Sequence, residues 1–228
     1  MIFDILRNGF SINTIMNLMA RVFVVFCTLP IHEYAHALVA TKLGDDTPRL
    51  KGRLTLAPLA HIDPIGALMI FLVGFGYAKP VPVSPRHFNR KVNMRVGMAL
   101  TALAGPLANI IMAIIFMLLS NGAAVAVSAS GSLLGEIIMW FFYFAAQINV
   151  SLAMFNLLPI PPLDGSRIVS MLIPSKYYYK IIRYERYIMI GIFVLIFIGV
   201  LDIPLAFLSG KLMSLISFIT ELPFRLFI

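Results

Sequence analysis

The stretch Val22–Ala40, VFVVFCTLPIHEYAHALVA, decides the architecture, because it is apolar enough to enter a bilayer yet carries two histidines and a glutamate. At ~1.5 Å per residue its 19 residues rise ~28 Å as a helix, close to the ~30 Å hydrocarbon core of a membrane. Ionisable groups at such depth are costly unless they have partners or a ligand. His32 and His36 are spaced i, i+4 and stand ~40° apart on a helix, so both imidazoles face one side. That arrangement suits two nitrogens on one zinc ion, with Glu33 beside the open coordination position. A polar cluster packed between helices is the bland alternative.

The rest of the chain agrees with a membrane setting. Of 228 residues, 60% are hydrophobic and 12% charged, about half the ~25% charge content of an average soluble domain. A soluble fold of this length still exposes a quarter to a third of its unfolded surface and could not hide so much apolar area. The net charge of +8 reads as cytoplasmic loop bias rather than a nucleic-acid site. The single cysteine, Cys27, excludes an internal disulfide framework and any multi-cysteine metal site. The N-terminus, MIFDILRNGF, lacks a small-residue cleavage site and reads as retained.

Outward from the opening stretch, three more runs have the length to cross: Val96–Ser120, Ile137–Leu163 and Tyr187–Leu201, the last continuing past Asp202. Segments 42–63, 79–95 and 164–186 hold 14 of the 18 basic residues, so all three are expected on the cytoplasmic side. Pro64–Ala78, lying between two of them, should then enter and leave on one side as a re-entrant segment. Residues 209–228 are apolar but interrupted by Lys211, Glu221 and Arg225, which fits an interfacial helix or a poor last span. Residues 46–62 alternate polar and apolar around Gly52, and predict a short strand pair at the membrane surface. The expected fold is an all-α polytopic membrane protein in the cell membrane. Four to six membrane helices would surround a three-helix catalytic core, in one domain over 1–228, with the core at about 20–170 and C-terminal helices at 187–228.

A catalytic zinc takes three protein ligands and keeps one position open. For the third ligand the sequence offers Asp164, Asp63, His61, Asp202 and Glu136. Asp164 alone follows an uncharged span and a run of prolines that breaks the helix inside an apolar environment. The others have ordinary readings: Asp63 capping a helix before Pro64, His61 and His87 at the interface, Glu136 and Asp202 at membrane edges.

Taken together, HEYAH (His32–His36), GPLAN (Gly105–Asn109) and NLLPIPPLDG (Asn156–Gly165) resemble the three signatures of the site-2 protease family of intramembrane zinc metalloproteases. HIDPIG (His61–Gly66) and AKPVPVSP (Ala78–Pro85) resemble its compact bacterial members, and the match covers about residues 20–170. The resemblance implies Zn2+ held by His32, His36 and Asp164, with Glu33 as general base. It implies that Asn156 contacts the substrate backbone, that Asn109 lies near the site, and that the strand pair offers the substrate an edge. Substrates would be transmembrane proteins within the lipid bilayer. Members often carry a PDZ or CBS domain, and no stretch of this sequence reads as either. A catalytically inactive binder of transmembrane segments and a membrane metal transporter are the rival readings. The first would share the fold but lack an intact ligand set, and the second should spread polar groups over successive spans.

Overall fold

A computed structural model describes residues 12–72 and 78–225, and among them every regular element is helical. α1 (Ile12–Phe23) runs through a π-helical turn at Val24–Thr28 into α2 (Leu29–Lys42), so the HEYAH residues sit in the last part of one long helix. Three short helical pieces follow: α3 (Thr47–Leu50), α4 (Pro58–His61) and α5 (Pro64–Leu72). Then come α6 (Met94–Ser130) and α7 (Leu133–Asn156), an antiparallel pair forced by a two-residue connection at 131–132. Asn93 caps α6 by accepting from the Arg95 amide, and Ser132 caps α7 by accepting from the Gly135 amide. α8 (Asp164–Val169), α9 (Ser175–Arg183), α10 (Glu185–Phe197) and α11 (Asp202–Glu221) complete the chain.

Four helical stretches are long and apolar enough to span a membrane: Thr14–Lys42, Met94–Ser130, Leu133–Asn156 and Asp202–Phe224. Their packed interior is made of small and aromatic residues, with Ala20 and Val24 meeting Ala113, Phe116, Ala145, Ala146 and Ile216. Small side chains bring the helix axes close, which is how helices gain contact where lipid is as apolar as protein. The outer face of α6 is the reverse: Leu107, Ile111, Ile115 and Leu119 recur every four residues and are exposed, as a lipid-facing stripe requires.

Three expectations change. The strand pair at 46–62 does not form: Pro48 and Pro58 each start a helical turn, and the alternation reflects side chains that find separate partners in a folded loop. Arg53, for one, is buried and donates to the carbonyls of Ala60 and Lys79. The run Tyr187–Leu201 is not one span: α10 is only 13 residues long and ends before Gly199, whose φ of +75° turns the chain. Instead α11, in the tail region, has the length to cross. The re-entrant reading of Pro64–Ala78 gains a geometric basis, since the Lys79 amide donates to the His61 carbonyl at 2.8 Å. A segment whose ends are hydrogen-bonded together does not cross a ~30 Å core. Residues 73–77 of that segment lie outside the described residues.

Candidate metal centre

His32 and His36 project from α2, and Asp164 opens α8 after the proline-rich turn. The Nε2 atoms of the two histidines are 3.1 Å apart, and each lies close to Asp164 Oδ2, at 3.3 Å and 3.2 Å. Ligand atoms ~2.1 Å from a tetrahedral zinc are ~3.4 Å from one another, so the three atoms already form nearly the triangular face such an ion needs. Among the described residues, no other three His, Cys, Asp or Glu side chains are grouped in this way.

The surroundings hold that triangle in place. His36 Nδ1 is 2.7 Å from the Thr101 carbonyl of α6. A carbonyl only accepts, so Nδ1 carries the proton and Nε2 presents its lone pair inward. Pro106 cannot donate to the Ala102 carbonyl and so loosens α6 beside Thr101. Gly105 lies flat against the two rings: a Cβ there would stand 2.4 Å from His36 Nε2 and 2.6 Å from His32 Cε1. The glycine of GPLAN is therefore the space in which the histidines sit. Gly165 plays a similar part for Asp164, because its Cβ would fall 2.2 Å from the Leu157 carbonyl oxygen. That contact seats the start of α8 on the turn at 157–163.

The three residues border a cleft of about 320 Å³, which Glu33, Asn156, Met98, Phe155 and Arg167 also line. One wall is the irregular segment through Ala78, Pro80, Val81 and Val83. A second groove of about 580 Å³, between α7 and α11, includes Asp202 but none of the paired histidines.

The remaining candidates are dispersed. Asp63 caps α5, its Oδ1 accepting from the amides of Ile65 and Gly66 at 3.0 Å. His61 is fully buried, with Nε2 2.8 Å from the Thr55 carbonyl. His87 faces Asp45 at 3.3 Å, and Glu136 lies in the first turn of α7. Asn109 is 2% exposed and does not line the cleft; it sits one turn beyond Gly105 with its Oδ1 unpaired among the described residues. Thr28 Oγ1 and Asn149 Oδ1 are likewise buried and unpaired among the described residues. The wall at 78–84 lies within the AKPVPVSP stretch that the resemblance picked out, though without this role, and nothing local in the sequence signals the carboxylate of Asp45.

The model of peptidase family M50 matches residues 120–200. A Bacillus subtilis protein bearing the name of a zinc metalloprotease, YwhC, is 41% identical over 171 residues, covering 73% of this chain and 74% of that protein. A Mycolicibacterium smegmatis protein named as a zinc metalloprotease, Rip2, is 31% identical over 146 residues, covering 60% of this chain and 51% of its own length. A Methanocaldococcus jannaschii protein of the same description, MJ0611, is 43% identical over 68 residues, which is 30% of this chain and 31% of that protein. No solved structure is similar to the chain at a significant level.

Proposed function

As a member of peptidase family M50, the site-2 protease family, the chain is a zinc metalloprotease and a multi-pass membrane protein, and we propose that it hydrolyses peptide bonds within transmembrane segments of other membrane proteins. The observation that carries this reading is the triangle of two Nε2 atoms and one carboxylate oxygen on apolar helices, open to a single cleft. Zinc held there supplies a Lewis acid and brings the pKa of its water to ~7.

His32, His36 and Asp164 are the ligands in this reading. Glu33, next to His32 and lining the cleft, accepts the proton that the attacking water loses and returns it to the departing amine. A helical substrate satisfies its own backbone hydrogen bonds, so it must unwind before a carbonyl can be attacked. Two parts of the cleft suit an unwound strand. Asn156 offers amide donors, and the wall at 78–84 offers an edge. In an extended chain Val81 and Val83 point their amides and carbonyls the same way, and neither makes a hydrogen bond to a described residue. Pro80 and Pro82, which alternate with them, have no amide donor to satisfy on the other side. The proposed edge thus moves from the loop at 46–62 to the Pro-Val-Pro-Val segment. Outward of the site the bundle closes with Val24, Ala113 and Ala145, which favours a dead-end reaction chamber over a transport path.

Purified protein should hold about one zinc per chain, and Glu33→Gln should keep it while cleavage of a transmembrane substrate falls at least ~100-fold. Near-wild-type cleavage by Glu33→Gln would end this assignment. Zinc kept in full by Asp164→Ala would move the third ligand elsewhere.

A further inference from the structure

We propose that Asp45 is a positioning residue for substrate: its buried carboxylate ties the cleft wall at 78–84 to the helix that carries His32, Glu33 and His36. This rests on the proteolytic reading above and adds a specific device to it. Asp45 is 0% exposed, an unusual place for a carboxylate, and both its oxygens accept hydrogen bonds. Oδ2 accepts from the Ser84 amide at 2.6 Å, while Oδ1 accepts from the amide and hydroxyl of Thr47 and faces His87 Nδ1 at 3.3 Å. Its own amide donates to the Ala40 carbonyl in the last turn of α2. The carboxylate therefore joins two parts of the chain 39 residues apart, one leading directly from the metal helix and the other ending the cleft wall. A second tie lies alongside, from the Asn89 amide to the Leu43 carbonyl at 2.8 Å.

At the other end of the wall, the Lys79 amide reaches the His61 carbonyl, and Arg53 donates to the Lys79 carbonyl. The four residues between, Pro80 to Val83, are thus held at both ends, with Val81 and Val83 among them. An edge that pairs with a substrate backbone works only if its register to the attacking and proton-accepting groups is fixed, because a shift of one residue turns every amide to the opposite side. Asp45 supplies that register, since it fixes Ser84 relative to α2 rather than merely filling space. An asparagine of the same shape cannot replace it: with donors on both oxygens, the NH2 group must face either Ser84 or Thr47.

The test uses full-length protein with bound zinc and a fluorescence-quenched peptide, chosen from a random apolar decapeptide library as cut by wild type and spared by Glu33→Gln. A second peptide carries N-methyl groups on alternate backbone amides around the cut, which removes strand pairing without changing side chains. In wild type, N-methylation should lower kcat/KM by ~10-fold or more. In Asp45→Asn, with zinc content unchanged, KM for the plain peptide should rise ~10-fold with little change in kcat, and the N-methyl penalty should shrink to ~2-fold. Should Asp45→Asn fail to fold, the same ratio is read in Asp45→Ser, which fits the space but cannot span to the Ser84 amide. A structural role alone would slow both peptides equally, so an unchanged N-methyl penalty overturns the proposal while leaving the protease reading intact. No peptide cut by wild type and spared by Glu33→Gln would instead overturn the protease reading, and the proposal with it.

Discussion

The proposed metal layer and the cleft wall at 78–84 beside it border one cleft but are built in opposite ways. The metal layer is made by helix periodicity. His32 and His36 are one turn apart, and Gly105 faces them from α6 because a missing side chain leaves room for two rings. The edge is made by single hydrogen bonds between distant loop residues: Ser84 to Asp45, Lys79 to His61, Arg53 to Ala60 and Lys79. The first should fail when volume is added, and the second when one polar partner is removed. Metal binding and substrate placement are then separable, and mutations can be chosen to break one without the other.

The most damaging change on this view is the smallest, Gly165→Ala. The added methyl would meet Leu157 O at 2.2 Å, Leu157 C at 2.4 Å and Leu158 O at 2.4 Å, all backbone atoms in a turn that has nowhere to go. Asp164 must move with α8, so zinc should be largely lost and cleavage should fall at least ~100-fold, as for loss of a ligand. Metal analysis of the purified variant decides it: full zinc would mean that the turn and α8 shift together, and that packing here does not hold the ligand.

Gly105→Ala comes next. Its methyl would also overlap, at 2.4 Å from His36 Nε2, but the obstructing atoms are side-chain rings that can turn at the cost of the bond to Thr101. A loss of metal affinity of ~10–100-fold is expected, comparable to removing a partner that orients a ligand. Competition with a chelator measures it, and an affinity equal to wild type would show that the rings have slack the geometry does not reveal.

These two glycines also show what sequence could and could not convey. HEYAH, GPLAN and NLLPIPPLDG lie in or beside apolar runs, so periodicity and hydropathy placed them on membrane helices, and the proline break before Asp164 already favoured it over Asp63, His61, Glu136 and Asp202 before the resemblance pointed to the same residue. The structure separates these by simple distance. The loop 46–62 was misread as strands because its alternation has a cause other than a pleated sheet: Arg53 turns inward to carbonyls while its neighbours face out. The last span was obscured by Lys211, whose ammonium lies over the Phe207 ring at 5.7 Å, and by a hydropathy run that does not register the turn at Gly199. The role of Asp45 was invisible because Ser84 and His87, the partners that give it that role, lie 39 and 42 residues away, and no local pattern encodes a contact at such range.

Arg53→Met sharpens the comparison from the loop side. Methionine keeps much of the apolar stem but removes both hydrogen bonds that close the base of the segment between His61 and Lys79. A local destabilisation of ~1–3 kcal/mol is expected, with zinc content unchanged. Limited proteolysis should find faster cutting within 51–63, and zinc loss in this variant would mean that edge and metal layer are coupled after all.

The smallest effect is a pH dependence that belongs to the edge alone. Burial opposes ionisation of Asp45, but hydrogen bonds from the Thr47 hydroxyl, the Ser84 and Thr47 amides and His87 outweigh it and hold the carboxyl below its usual range. A carboxyl depressed in the folded state adds stability that is present above its unfolded pKa, ~3.9, and is lost as pH falls through the lower folded value. The proposed metal ligands should release zinc on acidification too, so wild type alone cannot report on Asp45. The difference between wild type and Asp45→Asn can, because contributions from separate sites cancel. The gap in unfolding midpoint between the two should be greatest near neutral pH and should narrow below pH ~4. It should not close completely, since the asparagine also misplaces one donor. A gap that stays constant down to pH ~2 would show that the charge on Asp45 contributes nothing, leaving the edge held by shape and neutral hydrogen bonds and erasing the contrast with the metal layer on this point.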